Sequence, residues 1–594
     1  MSKKAIDKII TPMYNFLTIK SDIMIKGKYK QLCLHRQYSG ICAIGYTQAL
    51  CPIYNRIKLK DQLTMRDNFK KAVQNVIRFG DTDIFPFPFE RYLFGEKFED
   101  TLNNLMEIHN NLDDASSRFP PLTIVKLSQV GYYGFRSATM IEPFWNVYFL
   151  GLVISLAEKI EKSRIEEKEK IVFSYRYKWN NEKSSLFKDT NWIDYKKQCI
   201  ELSQSYDYVL QTDISNFYPR INHHKLENEL KRIDNTSDIA KKIIKLLGLF
   251  SGTISYGLPV GGPASRILAE LALNHTDSHL KSKGIVFCRY VDDYTIFCNS
   301  ESEAYKALIL LSEKLSNDQL GLQKNKTKIM KTDEFREIHN FLDPKPKDKS
   351  SDEEQKLLNI SIRFDPYSAT AIEDYETLKQ AVREIDIVGI LSKEVNKTRI
   401  DQTVTKQAIT SIKALTKDNQ VQAVRILLDQ NNLLTLSSVF TTIMCSMRSI
   451  YDDLNNSGKE LIDKSLLELF ESENYLTKIE INLNYIVQIL SITHSQKKEE
   501  LFVYLYESVP NHFLKRQIII AMANWNCHYW LVDIKNQFTT MTIWERRAFI
   551  YASYFLGDEG KHWRNNNKSL FSREEILIRD WCSQRQQSNK LILV

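Results

Sequence analysis

Three aspartates carry most of the chemistry on offer in this sequence: Asp213, Asp292 and Asp293. The last two sit side by side in Phe287-Cys288-Arg289-Tyr290-Val291-Asp292-Asp293-Tyr294-Thr295-Ile296-Phe297, where apolar, β-branched and aromatic residues dominate both flanks. Such flanks predict two adjacent strands joined by a tight turn. Consecutive carboxylates there are costly unless water solvates them or a cation neutralises them. A solvated hairpin tip is one reading, and a divalent cation held by the aspartate oxygens is the other. Asp213 ends a third strand-like run, Tyr208-Val209-Leu210-Gln211-Thr212, just before a turn at Ser215 and Asn216. An aspartate at a strand end beside an Asp-Asp hairpin is the set that two-metal phosphoryl transfer needs. One cation lowers the pKa of an attacking 3′-hydroxyl while the other steadies the departing pyrophosphate.

Two further segments must place these groups. Tyr218, shortly after Asp213, is either a core tyrosine or a ring beneath a bound sugar that excludes a 2′-hydroxyl. The stretch Gly257-Leu258-Pro259-Val260-Gly261-Gly262-Pro263-Ala264-Ser265-Arg266 reads as a loop open to close approach by a ligand. Pro263 then suits the first turn of a helix over residues 264–273.

In that order, the Asp213 segment, the Gly-Leu-Pro-Val-Gly loop and Tyr-Val-Asp-Asp resemble motifs A, B and C of the reverse transcriptase palm. The run 320–329 resembles motif D, with Lys326 on the family's lysine, and residues 337–342 fall where the primer grip would be. Upstream, Gly134-Phe135-Arg136-Ser137 and the segment around Arg176 resemble the finger motifs. The resemblance implies that Asp213 and Asp292 coordinate two Mg²⁺ (or Mn²⁺) ions. Asp293 would support them and Ile214 would offer a backbone carbonyl. It implies Tyr218 as sugar gate, Arg136 and Arg176 as triphosphate contacts, and Gly261, Gly262 and Ser265 as the loop under the nascent pair. Lys326 is either a proton donor to pyrophosphate or one lysine in a basic turn.

Val260 stands where most of the family has glutamine. In this the chain is more similar to bacterial abortive-infection and unknown-group reverse transcriptases of antiphage defence. That resemblance implies dNTPs as substrates, a homo-oligomer, and untemplated DNA synthesis primed from a protein hydroxyl, which leaves the product covalently attached. Copying of a partner noncoding RNA stays open, as does a catalytically inactive RNA-binding scaffold.

The 594 residues allow two to four domains, and a net charge of +8 is a weak nucleic-acid signal by itself. Basic residues crowd positions 1–30, as a solvated arm or a phosphate contact. Nine cysteines without a CxxC pair or a nearby histidine cluster argue against structural zinc and disulfides, and for a reducing cytosol. His223 and His224 are adjacent, so on a helix they face different ways and serve packing or solvent. Residues 1–11 lack a signal-peptide core, and the apolar run 144–157 is too short to span a bilayer. A cytoplasmic protein without membrane contact is expected.

The alternating prolines of 84–89 predict an irregular packed segment, followed by a helix over 96–110. Residues 144–157 predict a buried helix, 158–170 a charged one, and 557–564 a polar turn. Residues 345–355 read as a polar linker. Beyond it, helical periods at 421–428, 461–470, 479–490, 501–508 and 544–555 suggest an α-solenoid or irregular bundle. The expected fold is α+β: right-hand polymerase fingers and palm, then an all-α, HEAT-like C-terminal domain. Expected boundaries are 1–125 (extension and part of the fingers), 126–205 (fingers), 206–345 (palm), 346–371 (linker) and 372–594 (helical domain).

Overall fold

The structure is a computed structural model describing residues 43–188, 192–252, 254–338 and 385–593, with single positions at 354, 357 and 382. The basic arm, the 345–355 linker and most of the 337–342 segment lie outside the described residues, as do side chains up to residue 60.

At the centre is a four-stranded antiparallel sheet built from β5 (Tyr208–Asp213), β6 (Val286–Tyr290), β7 (Asp293–Cys298) and β8 (Lys328–Lys331), in the order β6-β7-β5-β8. β5, β6 and β7 are the expected strands, whereas β8 was not expected, since it begins inside the run read only as resembling motif D. Val209, Leu210, Phe287, Ile296 and Phe297 are buried on its two faces, and that burial fixes the register. The Pro263–Ser282 helix packs beneath the sheet; Pro263 starts it, and Ile267, Leu268, Leu271 and Leu280 face the core.

Two small hairpins, β1 (Thr123–Val130) with β2 (Gly134–Ile141) and β3 (Tyr177–Asn180) with β4 (Ser185–Phe187), precede the sheet in the chain. Between them runs a single helix, Pro143–Ser163, capped by the Glu142 carboxylate, which accepts from the N–H groups of Phe144 and Trp145. The buried and charged helices expected over 144–170 are therefore one element that stops at Ser163. Arg164 leaves the helix in extended conformation, because its guanidinium turns inward to Glu161, Glu270 and two backbone carbonyls. The 84–89 stretch is irregular and packed, as its prolines require, with Phe85 and Phe89 buried.

C-terminal to residue 385 every regular element is helical. The helices Phe440–Ile450, Glu480–Leu490, His512–Asn524, Ile543–Ala552 and Arg573–Gln587 pack in series, each on the next, with shorter helices between them. Their unequal lengths leave no fixed repeat, so the expected HEAT-like array is not shown. Residues 557–564 are helical too, within Gly557–Asn566, with Asp558 and Glu559 in the favourable first turn, rather than a polar turn. Among the described residues one helical stretch, Gln430–Asp453, is long and apolar enough to cross a membrane, and 56% of its apolar window is buried inside the protein.

The array is docked on the N-terminal half of the chain. Arg516 pairs with Glu90, and Arg547 with Glu90 and Glu142; all four side chains are almost wholly buried. Tyr485 donates its hydroxyl to the Ile84 carbonyl at 3.1 Å, and Trp581 stacks on Phe89. One hydrophobic core runs through both halves.

Candidate active site

β5 and β7 pair so that Asp213 lies directly opposite Asp293. Directly opposed residues on antiparallel strands point to the same face, and like charges there repel. The ladder continues one step beyond, where the Ile214 N–H donates to the Asp292 carbonyl at 3.2 Å. Asp292 occupies the tip of a two-residue turn between Tyr290 and Asp293, which are themselves paired. The other turn residue, Val291, has φ of 56°, a left-handed conformation that such hairpins normally reserve for glycine or asparagine. Holding a β-branched residue there costs ~1–3 kcal/mol.

Electrostatics mark the three carboxylates as a unit. Burial first, then the charges of Asp213 and Asp293, push Asp292 up to about 7. Asp293 is raised by burial and by Asp213. Lys326 Nζ sits 2.5 Å from Asp213 Oδ2. Burial opposes its charge, but the Asp213 hydrogen bond together with the attraction of Asp213, Asp293 and Asp292 holds the ammonium above the usual lysine range. The ammonium stands in for positive charge that the aspartates lack. Three carboxylates crowded against one another, with hard oxygen donors, fit Mg²⁺ or Mn²⁺.

What fixes the turn lies underneath it. Arg289, on β6, is fully buried; it donates to Asp277 at 2.6 and 3.0 Å, to Glu270 at 2.9 Å and to the Val291 carbonyl at 2.6 Å. Asp277 also accepts from the Tyr294 hydroxyl at 2.8 Å. Glu270 accepts from Arg164 at 2.6 Å and from Ser174 at 2.5 Å. The network therefore ties the strained Val291 peptide to the motif B helix.

Tyr218, Arg266 and a strap over residues 81–84 lie on the side where a nucleotide is expected. The Tyr218 carbonyl accepts from the Leu258 N–H at 2.9 Å, which joins the turn after Asp213 to the glycine loop. Its half-buried phenol is raised by burial and Tyr175, and it feels both the Arg266 guanidinium and the Asp292 carboxylate. Arg266 pairs with Asp83 and lies over the Tyr175 ring. Gly261, at φ 126°, leaves no room for a side chain, since a Cβ there would come within 2.2 Å of Thr82 Oγ1. The glycine therefore admits the strap, not the bare approach of a nucleotide.

Asp81 is buried beside Asn146, whose amide donates to it at 3.1 Å. Burial, then Glu90, push its pKa up to about 8. An acid whose folded pKa exceeds its unfolded value contributes stability at low pH and loses it as pH rises through about 8. Asp81→Asn is therefore expected to melt higher than wild type, by a margin that widens from pH 5 to pH 8. A constant margin across thermal scans in that range would contradict a protonated Asp81.

Not every expected contact is brought here. Arg176 is buried, donating to the Val172 carbonyl at 3.0 Å and to Glu161 at 3.0 Å, so its guanidinium is a structural tie and not a triphosphate contact. Ser265 is also buried, lining a small cavity behind the loop with Asp81, Thr82 and Asn146; it does not reach a nucleotide. Gly262 lies against the Asp81 carbonyl. Arg136 is exposed on β2, its charge acting on Lys406 of the helical array. His223 packs inward, with its Nε2 2.7 Å from the Gly257 carbonyl, while His224 faces outward. Sequence reasoning passed over Arg266, Asp83 and Lys196, whose charge acts on Asp293. Arg266 had a signal, being within the motif B segment; Asp83 and Lys196 had none.

Residues 156–351 match the family model described as reverse transcriptase (RNA-dependent DNA polymerase). The chain thus contains a reverse transcriptase-type polymerase domain, of the nucleotidyltransferase class, and such domains use Mg²⁺ or Mn²⁺. No curated protein matches the chain. Among solved structures, telomerase from Candida albicans in complex with the TWJ fragment of telomeric RNA aligns over 67% of this chain and 71% of that one. The identity there is 10% and the TM-score 0.28.

Proposed function

We propose that the chain is a DNA polymerase that adds dNTPs by two-metal phosphoryl transfer, acting in the cytoplasm in antiphage defence. The observation that carries the catalytic part is the Asp213–Asp293 pairing with Asp292 at the adjoining turn, inside a reverse transcriptase-type domain. Bound divalent cations would supply a deprotonated 3′-hydroxyl and charge neutralisation at the leaving pyrophosphate. Asp213 and Asp292 would hold them, with Asp293 and the Ile214 carbonyl in support. Lys326, released from Asp213 when cations take its place, would be free to give a proton to pyrophosphate. Arg266 would bear on the triphosphate. The defence role rests on Val260 in motif B and on the helical array where a thumb would stand; a homo-oligomer belongs to the same reading.

Untemplated addition, primed from a protein hydroxyl, is favoured over copying of a noncoding RNA by one feature. The glycine loop that would lie under a nascent pair is covered by Thr82 and the Asp81 carbonyl. Purified full-length chain given dNTPs and Mg²⁺ without nucleic acid should yield protein-linked DNA. Strict dependence on added RNA would select the copying mechanism instead.

Two substitutions probe the nucleotide side. Tyr218→Ala should raise rNTP use relative to dNTP by about tenfold, the effect of removing a steric conflict of 1–2 kcal/mol. Unchanged selectivity would make Tyr218 a packing residue. Arg266→Ala should raise the KM for dNTP about tenfold with a smaller change in kcat, as loss of a charge-assisted contact does. A KM equal to wild type would confine Arg266 to holding Asp83.

A further inference from the structure

Far from the polymerase carboxylates, the helical array brings together three side chains of a different chemical type. His494 follows the Glu480–Leu490 helix, Glu499 lies early in the Gln496–Ser508 helix, and Cys527 caps the start of His528–Lys535. One ligand atom from each lies within 4.8 Å of the others. His494 Nε2 is 2.7 Å from Glu499 Oε2, and Cys527 Sγ is 3.3 Å from the same oxygen. We propose that His494, Glu499 and Cys527 form a binding site for a borderline-soft divalent cation of the Zn²⁺ class.

The donor set decides the class of ion. Imidazole nitrogen and thiolate sulfur with one carboxylate oxygen suit Zn²⁺ and are poor ligands for Mg²⁺, so this site and the polymerase carboxylates would take different metals. The spacing is near that required. With metal–ligand bonds of ~2.0–2.3 Å in tetrahedral array, donors stand ~3.2–3.7 Å apart. The Cys527–Glu499 pair already meets that range, and the His494–Glu499 pair needs the carboxylate to move by about half an ångström, a side-chain adjustment.

The scaffold around the trio is held by the backbone. The Cys527 N–H donates to the Met522 carbonyl at 3.0 Å, after Asn526 takes a left-handed conformation that turns the chain. Trp525 donates its indole N–H to the Ser491 carbonyl at 3.1 Å and stacks on Phe502, pinning the two turns together. Tyr529 donates to the second Glu499 oxygen, orienting the carboxylate as hydrogen bonds from outside a metal's ligands commonly do. Cys527 is buried whereas the His494 side chain is 49% exposed, so a fourth position would open to solvent. The cation would join successive helices of the array, displacing the thiol proton that Cys527 now gives to Glu499. Sequence spacing hid the site, because Cys527 lies 28 residues beyond Glu499 with no CxxC or HxxxH signature.

The test uses full-length protein stripped by chelator and titrated with Co²⁺. The expected result is a saturable thiolate-to-cobalt charge-transfer band together with quenching of Trp525, whose ring is 5.3 Å from His494. Cys527→Ser and His494→Ala should each abolish band and quenching, while Mg²⁺-dependent dNTP incorporation stays at the wild-type level. His494 is half exposed, so its truncation leaves the fold intact even if Cys527→Ser does not. No band in the wild type, or a band that survives His494→Ala, would overturn the proposal. Neither outcome bears on the polymerase reading, which incorporation measures separately.

Discussion

Asp292→Ala is expected to lower dNTP incorporation by at least about 10³-fold, equivalent to ~4 kcal/mol of transition-state stabilisation, while raising rather than lowering thermal stability. The two effects share one cause. Asp292 is buried against Asp213 and Asp293, and its pKa of about 7 records how unfavourable its charge is without a cation. Removing it relieves that repulsion in the free protein and removes an anchor for cations in the working one. A carboxylate raised in the fold loses stability as pH climbs through about 7, so the gain should be larger at pH 8 than at pH 5. Incorporation and melting measured on the same preparation check both halves. A variant that is inactive and also less stable would point to collapse of the turn, and one with normal incorporation would end the metal assignment.

Arg289→Ala is expected to be the most damaging change outside the carboxylates. Its guanidinium is the shared partner of Asp277, Glu270 and the Val291 carbonyl, all out of reach of water. Removing one member of a buried ionic network costs ~3–5 kcal/mol because the remaining charges lose their compensation. The loss should appear as a fall of several degrees in the melting midpoint. It should carry incorporation down with it, since Arg289 holds the left-handed Val291 peptide that presents Asp292. Asp277→Asn keeps the shape and removes one charge, so it should fall between wild type and Arg289→Ala in both measurements. Melting unchanged in Arg289→Ala would mean that water replaces the guanidinium and that the network is no anchor.

These residues also show what was legible in the sequence. Asp213, Asp292 and Asp293 could be read because each interrupts or ends a strong hydrophobic strand pattern, and the pairing that opposes Asp213 to Asp293 follows from burying that pattern. Tyr218 and the glycine loop could be placed near them by order along the chain. Arg176 could not be read correctly, since residue type does not say whether a guanidinium faces a ligand or an internal partner such as Glu161. The strap was invisible for another reason: Asp83 and Arg266 are 183 residues apart, and neither carries a local pattern announcing the other. The same holds for Arg516 and Arg547, whose pairing with Glu90 and Glu142 docks the helical array on the N-terminal half of the chain. Helix ends failed where a side chain overrode local propensity, as at Arg164.

The central claim, that the three carboxylates gather divalent cations for nucleotide addition, is tested most directly by crystals of the full chain soaked with Mn²⁺ and a non-hydrolysable dNTP. Anomalous scattering should place manganese between Asp213 and Asp292, with Lys326 displaced from Asp213. Manganese found only elsewhere, with Lys326 still bonded to Asp213, would contradict it.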